Sequence, residues 1–566
     1  MEDFDGATLA IHRALTDRGY AYAKVKKAAA VDLVAHTADV VFTVTPDQKS
    51  KFGPVTIEGL GPLPEAPIRR AIDIKEGDDY STTALDNAAQ AVLDLGVVSS
   101  LEIKPELPDV PPPNHIVPLH VKIEPARLHT IRLGGGFQFD AARTDVHLLA
   151  GWESHNFFGG LRTFRVEFRP GVVLYPMRVD NLVPPTAILP EERLRLELRQ
   201  PGFLEARTTL FIRPEFNIRA FLPPKLPKSE SVVGFREIKN AIGVDRTIWK
   251  LYGSLAYNFV VENPFAYIGP PDKYLTTLVI SSPQLLTTLD FRDDKVHPHK
   301  GIFLGNDLQF AGIGGNVSDL KVQPEIRGYV PIVKRVTFAM RGTVGFLFPQ
   351  NYGDVVTNKL NLPITDANRG ERTREFEIMY FRGLFSGGPS SNRGYALRGI
   401  APHAVVPFLN PTSVSQLGCN DPSASATPAR QESVKGCAVP VGGLSLWEAS
   451  AEVRVNVSGP LEAATFCDSS DVSPRQLSIR PDHPHVSCGL GARYDTPVGP
   501  IRLDVGYRLP GLQVPKPTLS QANAPFSTTA TQVVPGTPLY DELIEASPTT
   551  ILGLPIAVSF GIGEAF

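Results

Sequence analysis

Arg393 stands in the stretch G-G-P-S-S-N-R-G-Y-A-L-R-G-I-A-P, Gly387 to Pro402, between a glycine-rich run and an aromatic, Tyr395. Glycine lets backbone approach backbone, and a guanidinium pairs well with a carboxylate in a confined polar space. The stretch therefore reads as a loop tucked into a larger structure. Two other groups of residues have types that could do chemistry. His297-Pro298-His299 and His483-Pro484-His485 are His-x-His pairs able in principle to ligate metal. Each lacks a nearby third ligand of clear geometry, so both read as solvated loop histidines, and no metal is expected. Cys419 and Cys437 fall inside a polar insert, while Cys467 and Cys488 flank a hairpin. That spacing fits two local disulfides in an oxidising compartment, with four free buried thiols as the alternative. There is no Walker loop, G-x-S-x-G elbow, H-E-x-x-H or C-x-x-C, so the chain reads as a non-enzyme without a cofactor.

The elements that must position these residues are short and alternating. In R-L-R-L-E-L-R, Leu194, Leu196 and Leu198 share one face and Arg193, Arg195, Glu197 and Arg199 the other. Phe164, Val166 and Phe168 oppose Arg165, Glu167 and Arg169 in the same way, and Ile501, Leu503, Val505, Tyr507 and Leu509 oppose Arg502, Asp504 and Arg508. No apolar run is long enough for a membrane-spanning helix. A transmembrane barrel needs only about ten alternating residues per strand, and the mean hydropathy of -0.05 suits it. Charges of both signs on one face fit a polar lumen, and long inserts such as Val406 to Gly442 fit extracellular loops. A soluble β-rich binding protein alternates too and is the rival on pattern alone. The closing segment keeps Leu552, Leu554, Ile556, Val558, Phe560, Ile562 and Phe566 on one face, a stripe that an ordinary edge strand would expose to water. The formal net charge of -3 over 566 residues, with Lys and Arg dispersed, argues against a nucleic-acid partner.

The first 127 residues have a different texture. Ala7 to Tyr20 is helix-like and Val40, Phe42 and Val44 alternate as a strand, giving a partial α+β module over 1–50. A second module, 51–127, reads β-α-α-β-β: strand Phe52 to Leu60, a helix from Glu65, a helix capped by Ser81 and stopped at Gly96, then two strands around Pro111-Pro112-Pro113-Asn114. The opening Met-Glu-Asp-Phe-Asp has neither a cationic nor an apolar leader region, and the first module lacks its opening strand and helix, so a trimmed N-terminus is expected.

With these elements in place, the opening stretch resembles the sixth extracellular loop of the outer-membrane assembly insertases of the BamA and TamA type, whose hallmark is [V/I]-R-G-[F/Y] after a Gly-Gly pair. Asn392 stands where that family has an aliphatic residue. W-E-S-H-N-F-F-G-G-L (Trp152 to Leu161) is similar to the family's early hairpin, and G-P-L-E-A-A-T-F-C-D (Gly459 to Asp468) to its F-x-D strand, with Ser469-Ser470 in place of Ala-Gly. Gly489 to Leu509 resembles the penultimate hairpin and S-F-G-I-G-E-A-F the closing strand. F-G-P-V-T-I-E-G-L and R-G-Y-A-Y-A-K-V look like signatures of polypeptide-transport-associated (POTRA) modules.

The resemblance implies N-terminal α+β POTRA modules in the periplasm, then a transmembrane antiparallel β-barrel of about sixteen strands in the bacterial outer membrane, 128–566, with the loop at 387–402 folded into the lumen. It implies that Arg393, with Gly394 and Tyr395, locks the loop to a wall carboxylate, Asp468 first and Asp495 second. A lateral seam is expected between the first strand, with Gly134, Gly135 and Gly136, and the last, with Gly561, Gly563 and Phe566, because glycine weakens strand pairing. The function implied is an insertase or assembly factor for β-barrel or autotransporter-type proteins. Its partners would be unfolded outer-membrane clients, outer-membrane lipids, and periplasmic or inner-membrane accessory proteins reached through the POTRA modules. The closing S-F-G-I-G-E-A-F and the short POTRA array lean toward the TamA branch. A two-partner-type secretion pore, which would show an N-terminal plug helix, and a plain outer-membrane porin are the alternatives.

Overall fold

A computed structural model describes residues 2–32, 37–139, 143–178, 182–205, 207–222, 231–354, 356–357, 367–408, 438–496, 501–509 and 554–562. The molecule divides into two compact units, one made of 1–132, 151–166 and 196–211, the other of 133–150, 167–195 and 212–566.

The first unit begins with α1 (Glu2–Thr16) and the antiparallel pair β1 (Lys24–Asp32) and β2 (Thr37–Thr45). β1, K-V-K-K-A-A-A-V-D, was not expected from the sequence: small alanines and clustered lysines give it no period-two signal. The second module is β3 (Lys51–Glu58), α2 (Glu65–Ile72), α3 (Thr82–Leu93), β4 (Val98–Pro105) and β5 (Ile116–Pro125). Its sheet runs β3-β5-β4, with β3 parallel and β4 antiparallel to β5. α3 starts where it does because the Ser81 hydroxyl accepts from the Ala84 N–H at 3.2 Å. Ile68, Ala88, Val92, Val121 and Ile123 bury the facing stripes of helices and sheet, and Leu161 completes that core from another part of the chain. Asp17 accepts from the Thr83 N–H at 2.8 Å and from the Ser81 hydroxyl at 3.0 Å, and Arg13 reaches Asp86 at 2.6 Å, which ties α1 to the start of α3.

The remaining strands form one 16-stranded sheet. They are β6 (His129–Phe139), β7 (Thr144–Ser154), β8 (Thr163–Tyr175), β9 (Ala187–Gln200), β10 (Thr208–Ala220), β11 (Val232–Ile248), β12 (Leu251–Ile268), β13 (Leu278–Asp290), β14 (Gly301–Ala311), β15 (Asp319–Val333) and β16 (Val336–Pro349). After α4 (Arg369–Arg382) and the short pair β17 (His403–Val405) and β18 (Ala438–Pro440), the sheet resumes with β19 (Ser445–Ser458), β20 (Leu461–Ser473), β21 (His485–Tyr494), β22 (Ile501–Arg508) and β23 (Ile556–Ile562). Its order begins at β23 and ends at β6.

The sheet inverts the solubility pattern of a water-exposed protein. On β22, Arg502 and Asp504 are 6% and 0% exposed while Leu503 and Val505 are 47% and 40% exposed. Charged residues inside and aliphatics outside are what a bilayer demands, since a lysine or arginine on the lipid face costs about 2–4 kcal/mol at mid-depth. Among the described residues no helix is long and apolar enough to cross a membrane.

α4 carries no helical signal in the sequence. Its buried residues lie nearly all round the helix and include Arg369, Arg372, Glu375, Glu377 and Arg382, so it lacks an amphipathic stripe. Charges are tolerated there because the sheet supplies partners: Arg382 reaches Asp319 of β15 at 2.5 Å, and Arg369 reaches Asp272 at 2.5 Å. Phe376, Ile378 and Met379 pack with Phe221, Val233, Phe235 and Leu278 from β11, β13 and their neighbours.

Candidate functional site: the arginine-bearing loop

The loop from Ser386 to Ile400 is pinched at its base by two backbone hydrogen bonds, Ser386 N–H to Ile400 O at 2.9 Å and the reverse at 3.0 Å. Gly387 and Gly388 turn the chain with φ of +97° and +112°, angles that a side chain would strain. This presents Asn392-Arg393-Gly394-Tyr395 to the inner faces of β19 to β22.

Arg393 is 2% exposed. Its Nε and Nη2 donate to Asp468 Oδ2 and Oδ1, each at 2.8 Å, and its backbone N–H donates to Oδ2 at 3.0 Å. Its Nη1 donates to Glu452 Oε2 at 2.5 Å. The guanidinium lies 3.5 Å from the centroid of the Phe466 ring, so its flat face is covered as well. The register explains the convergence: Ser450 pairs with Asp468 and Glu452 with Phe466 across β19–β20, which brings both carboxylates and the ring to one patch. Glu452 also accepts from Arg454 at 2.7 Å and Arg493 at 2.8 Å, so one buried carboxylate neutralises parts of three cations.

The flanking residues are fixed with equal care. Asn392 donates to Ser470 Oγ at 3.0 Å and His485 O at 2.7 Å, and its carbonyl accepts from the Ser487 hydroxyl at 2.6 Å. The Gly394 N–H donates to Ser487 Oγ at 3.0 Å. The Tyr395 ring meets His485 edge-on at 5.7 Å and lies 5.4 Å from the Arg508 guanidinium. A Cβ at Gly506 would stand 2.7 Å from Arg393 O, and one at Gly394 would collide with Ser487, so this contact of loop with wall requires glycine on both sides.

Several sequence-based expectations are corrected here. Asp495 is not an Arg393 partner: it sits in the turn after β21, with its side chain 45% exposed and 3.4 Å from His297. Glu452 is the second carboxylate, and its signal was the even-numbered series Glu448, Ser450, Glu452, Arg454 along β19. His483 and His485 are not solvated loop residues; both are buried beside Asp471. Asn392, Ser470 and Ser487 went unremarked as hydrogen-bonding residues, though Asn392 and Ser470 both stand where the family pattern has other types. Cys467 and Cys488 face each other across β20–β21 and form a disulfide, whereas Cys419 and Cys437 lie outside the described residues. Gly134, Gly135 and Gly136 lie in β6, and Gly561 pairs with Arg502 in the β22–β23 ladder. Gly563 and Phe566 lie outside the described residues.

A transmembrane sheet of this kind, joined to a β-α-α-β-β periplasmic module and entered by its own arginine-bearing loop, defines a class of outer-membrane barrel. A model of the Omp85 superfamily domain matches residues 271–516, and a POTRA model, described as a surface antigen variable number repeat, matches residues 50–126. The chain carries an Omp85 superfamily domain, of a group of transporters and assembly factors rather than enzymes, together with a POTRA domain, and is a bacterial outer-membrane protein with its POTRA region in the periplasm. Among solved structures, BamA from Haemophilus ducreyi lacking POTRA domains 1-3 is similar at a TM-score of 0.56 and 14% identity, covering 90% of each chain. CdiB from Escherichia coli has a TM-score of 0.52 at 11% identity, covering 90% of this chain and 81% of its own. CdiB from Acinetobacter baumannii has a TM-score of 0.50 at 10% identity, covering 90% and 78%. These likenesses concern the fold. A comparison with curated protein sequences finds no match.

Proposed function

We propose that the protein assists the folding and insertion of β-barrel or autotransporter-type clients through a lateral seam between β6 and β23. The observation that supports this reading is the place of those strands at the two ends of the sheet order. Gly134, Gly135 and Gly136 in the middle of β6 remove side-chain contacts from that edge. Backbone groups left unpaired in hydrocarbon are costly, so a client strand that pairs with them is favoured, which is β-augmentation inside a membrane. The Arg393 loop braces β19, β20 and β21, the flank that leads to the seam. In the periplasm, β3 and β4 are the edges of the POTRA sheet and offer ladders to an extended client or an accessory protein.

Secretion of the two-partner type is the second reading, favoured by the likeness to CdiB. α1 itself is tied to α3 through Arg13 and Asp17 and so is not a free plug helix. A plain porin has no use for a POTRA module or a buried loop lock.

The test is the folding rate of a urea-denatured model outer-membrane barrel into liposomes, with and without this protein reconstituted, beside an Arg393→Ala control whose own insertion is verified by heat-modifiable migration. Acceleration that the substitution removes supports the reading. No acceleration by correctly inserted wild-type protein overturns it and directs attention to export of a secreted partner.

A further inference from the structure

The turn where β20 returns as β21 holds a second cluster, of which His485 also touches the arginine-bearing loop. His483, His485 and Asp471 are 6%, 9% and 1% exposed, far from the solvated state expected of a His-Pro-His turn. Asp471 Oδ1 lies 3.3 Å from His483 Nδ1 and 3.8 Å from His485 Nδ1, and the three side chains can each offer one ligand atom within 4.8 Å of the others. Bonds of about 2.0–2.2 Å to a tetrahedral zinc ion set ligand atoms about 3.3 Å apart, so the Asp471–His483 edge fits, the Asp471–His485 edge needs a small approach, and the His483–His485 edge lies within 4.8 Å.

The buried His485 Nδ1 has no hydrogen-bond partner. The ring is hydrogen-bonded to the Ser470 backbone, and that bond does not serve Nδ1. As an N–H it has no acceptor in hydrogen-bond range, and as a lone pair it faces a carboxylate oxygen. A cation between them answers both problems.

Asp471 is already held by Arg480, whose Nε and Nη2 donate at 2.8 and 2.9 Å. The Arg480 carbonyl in turn accepts from Trp447 Nε1 at 3.2 Å. Carboxylate ligands commonly keep such an outer partner, which fixes their orientation, while leaving a lone pair for the metal. The positive charge of Arg480 lowers the affinity of the site below that of a structural zinc centre without removing a ligand.

We propose that Asp471, His483 and His485 form a site for a divalent transition metal of the zinc type, with the fourth position taken by water. Two imidazoles and a carboxylate are a borderline donor set that prefers such ions over calcium or magnesium. The site adjoins the arginine-bearing loop: His485 O accepts from Asn392, and its ring meets Tyr395. A bound ion thereby fixes the strand end on which the loop rests.

The test uses the full chain in detergent, stripped with a chelator and titrated with Zn²⁺ by calorimetry and with Co²⁺ by its visible absorption. Saturable binding of a single ion is expected, with Co²⁺ bands of four-coordinate intensity. His483→Gln and His485→Gln should each weaken binding by at least about tenfold, while His297→Gln and His299→Gln leave it unchanged. If one of the cluster variants migrates as unfolded protein, the other carries the comparison. Absence of saturable binding by the wild type overturns the proposal, as does binding that the cluster variants leave intact.

Discussion

The wall from β11 to β16 and the flank from β19 to β23 are built on different physics. β11 and β12 pair along 17 and 18 residues, and α4 packs an apolar cluster against this side. On the other side, what lies against the inner wall is a loop fastened by charge. Long ladders and apolar packing make the wall from β11 to β16 the firmer side. A charge lock on the neighbouring flank holds β19 and β20 in place, which would suit the proposed seam between β6 and β23.

The largest effect expected is from closing that seam. Val558→Cys combined in turn with Ile131→Cys, Leu133→Cys or Phe137→Cys should, in whichever pair cross-links, abolish acceleration of client folding. Ile238→Cys with Val261→Cys, which bridges directly paired residues of β11 and β12, should not. Equal loss in both would show that the two sides do not differ.

Next in size is Arg393→Ala, which leaves Asp468 and part of Glu452 stranded inside the sheet at a cost of about 3–5 kcal/mol. Limited proteolysis should then cut between residues 387 and 402, and client folding should slow to the unassisted rate. Arg382→Ala, which breaks the buried pair with Asp319 on the other side, should lower thermal stability but keep the acceleration. A reversal of those outcomes would break the comparison.

Gly506→Val is a purely steric probe of the same contact, since its side chain would push on Arg393 O. Overpacking of this kind costs about 1–3 kcal/mol, and partial release of the loop, read as intermediate protease sensitivity, is expected.

The smallest effect lies in the periplasmic unit. Burial alone would raise the Asp17 carboxyl, but hydrogen bonds from Thr83 and Ser81, with Arg13 nearby, hold it below its ordinary value. Its contribution is therefore present above an unfolded value of about 3.9 and is lost as pH falls through the lower folded value. Hydrogen exchange in α1 should be slow near neutrality and should speed up below that value, with the sheet unaffected. Asp17→Asn should remove the pH dependence.

Much of the fold was legible because alternation is a local signal. The charged faces of β8, β9 and β22 could be read residue by residue, and so could the β-α-α-β-β order of the second module, with Ser81 as a cap. Arg393 was visible in its glycine setting, and Asp468 through its F-C-D context. Glu452 was not, because a carboxylate two residues from Arg454 on the same face looks like an ordinary wall pair until the register with Phe466 is known. α4 escaped because its charges find partners in the sheet rather than in water, which erases helical amphipathicity. The burial of His483 and His485 was invisible for a related reason: a His-Pro-His turn looks solvated until the strand carrying Asp471 is laid beside it.

Glu452 also imposes an order of assembly. Arg454 is a sequence neighbour, but Arg393 and Arg493 lie 59 and 41 residues away in opposite directions along the chain. Contacts of such separation form late, after the intervening loops have been closed. A nascent chain in which β21 has not yet joined β20 lacks one of the three cations, and one in which the loop has not entered lacks another. The carboxylate is thus fully compensated only once strands and loop have all arrived, making a single buried glutamate a checkpoint on the completeness of the protein's own barrel.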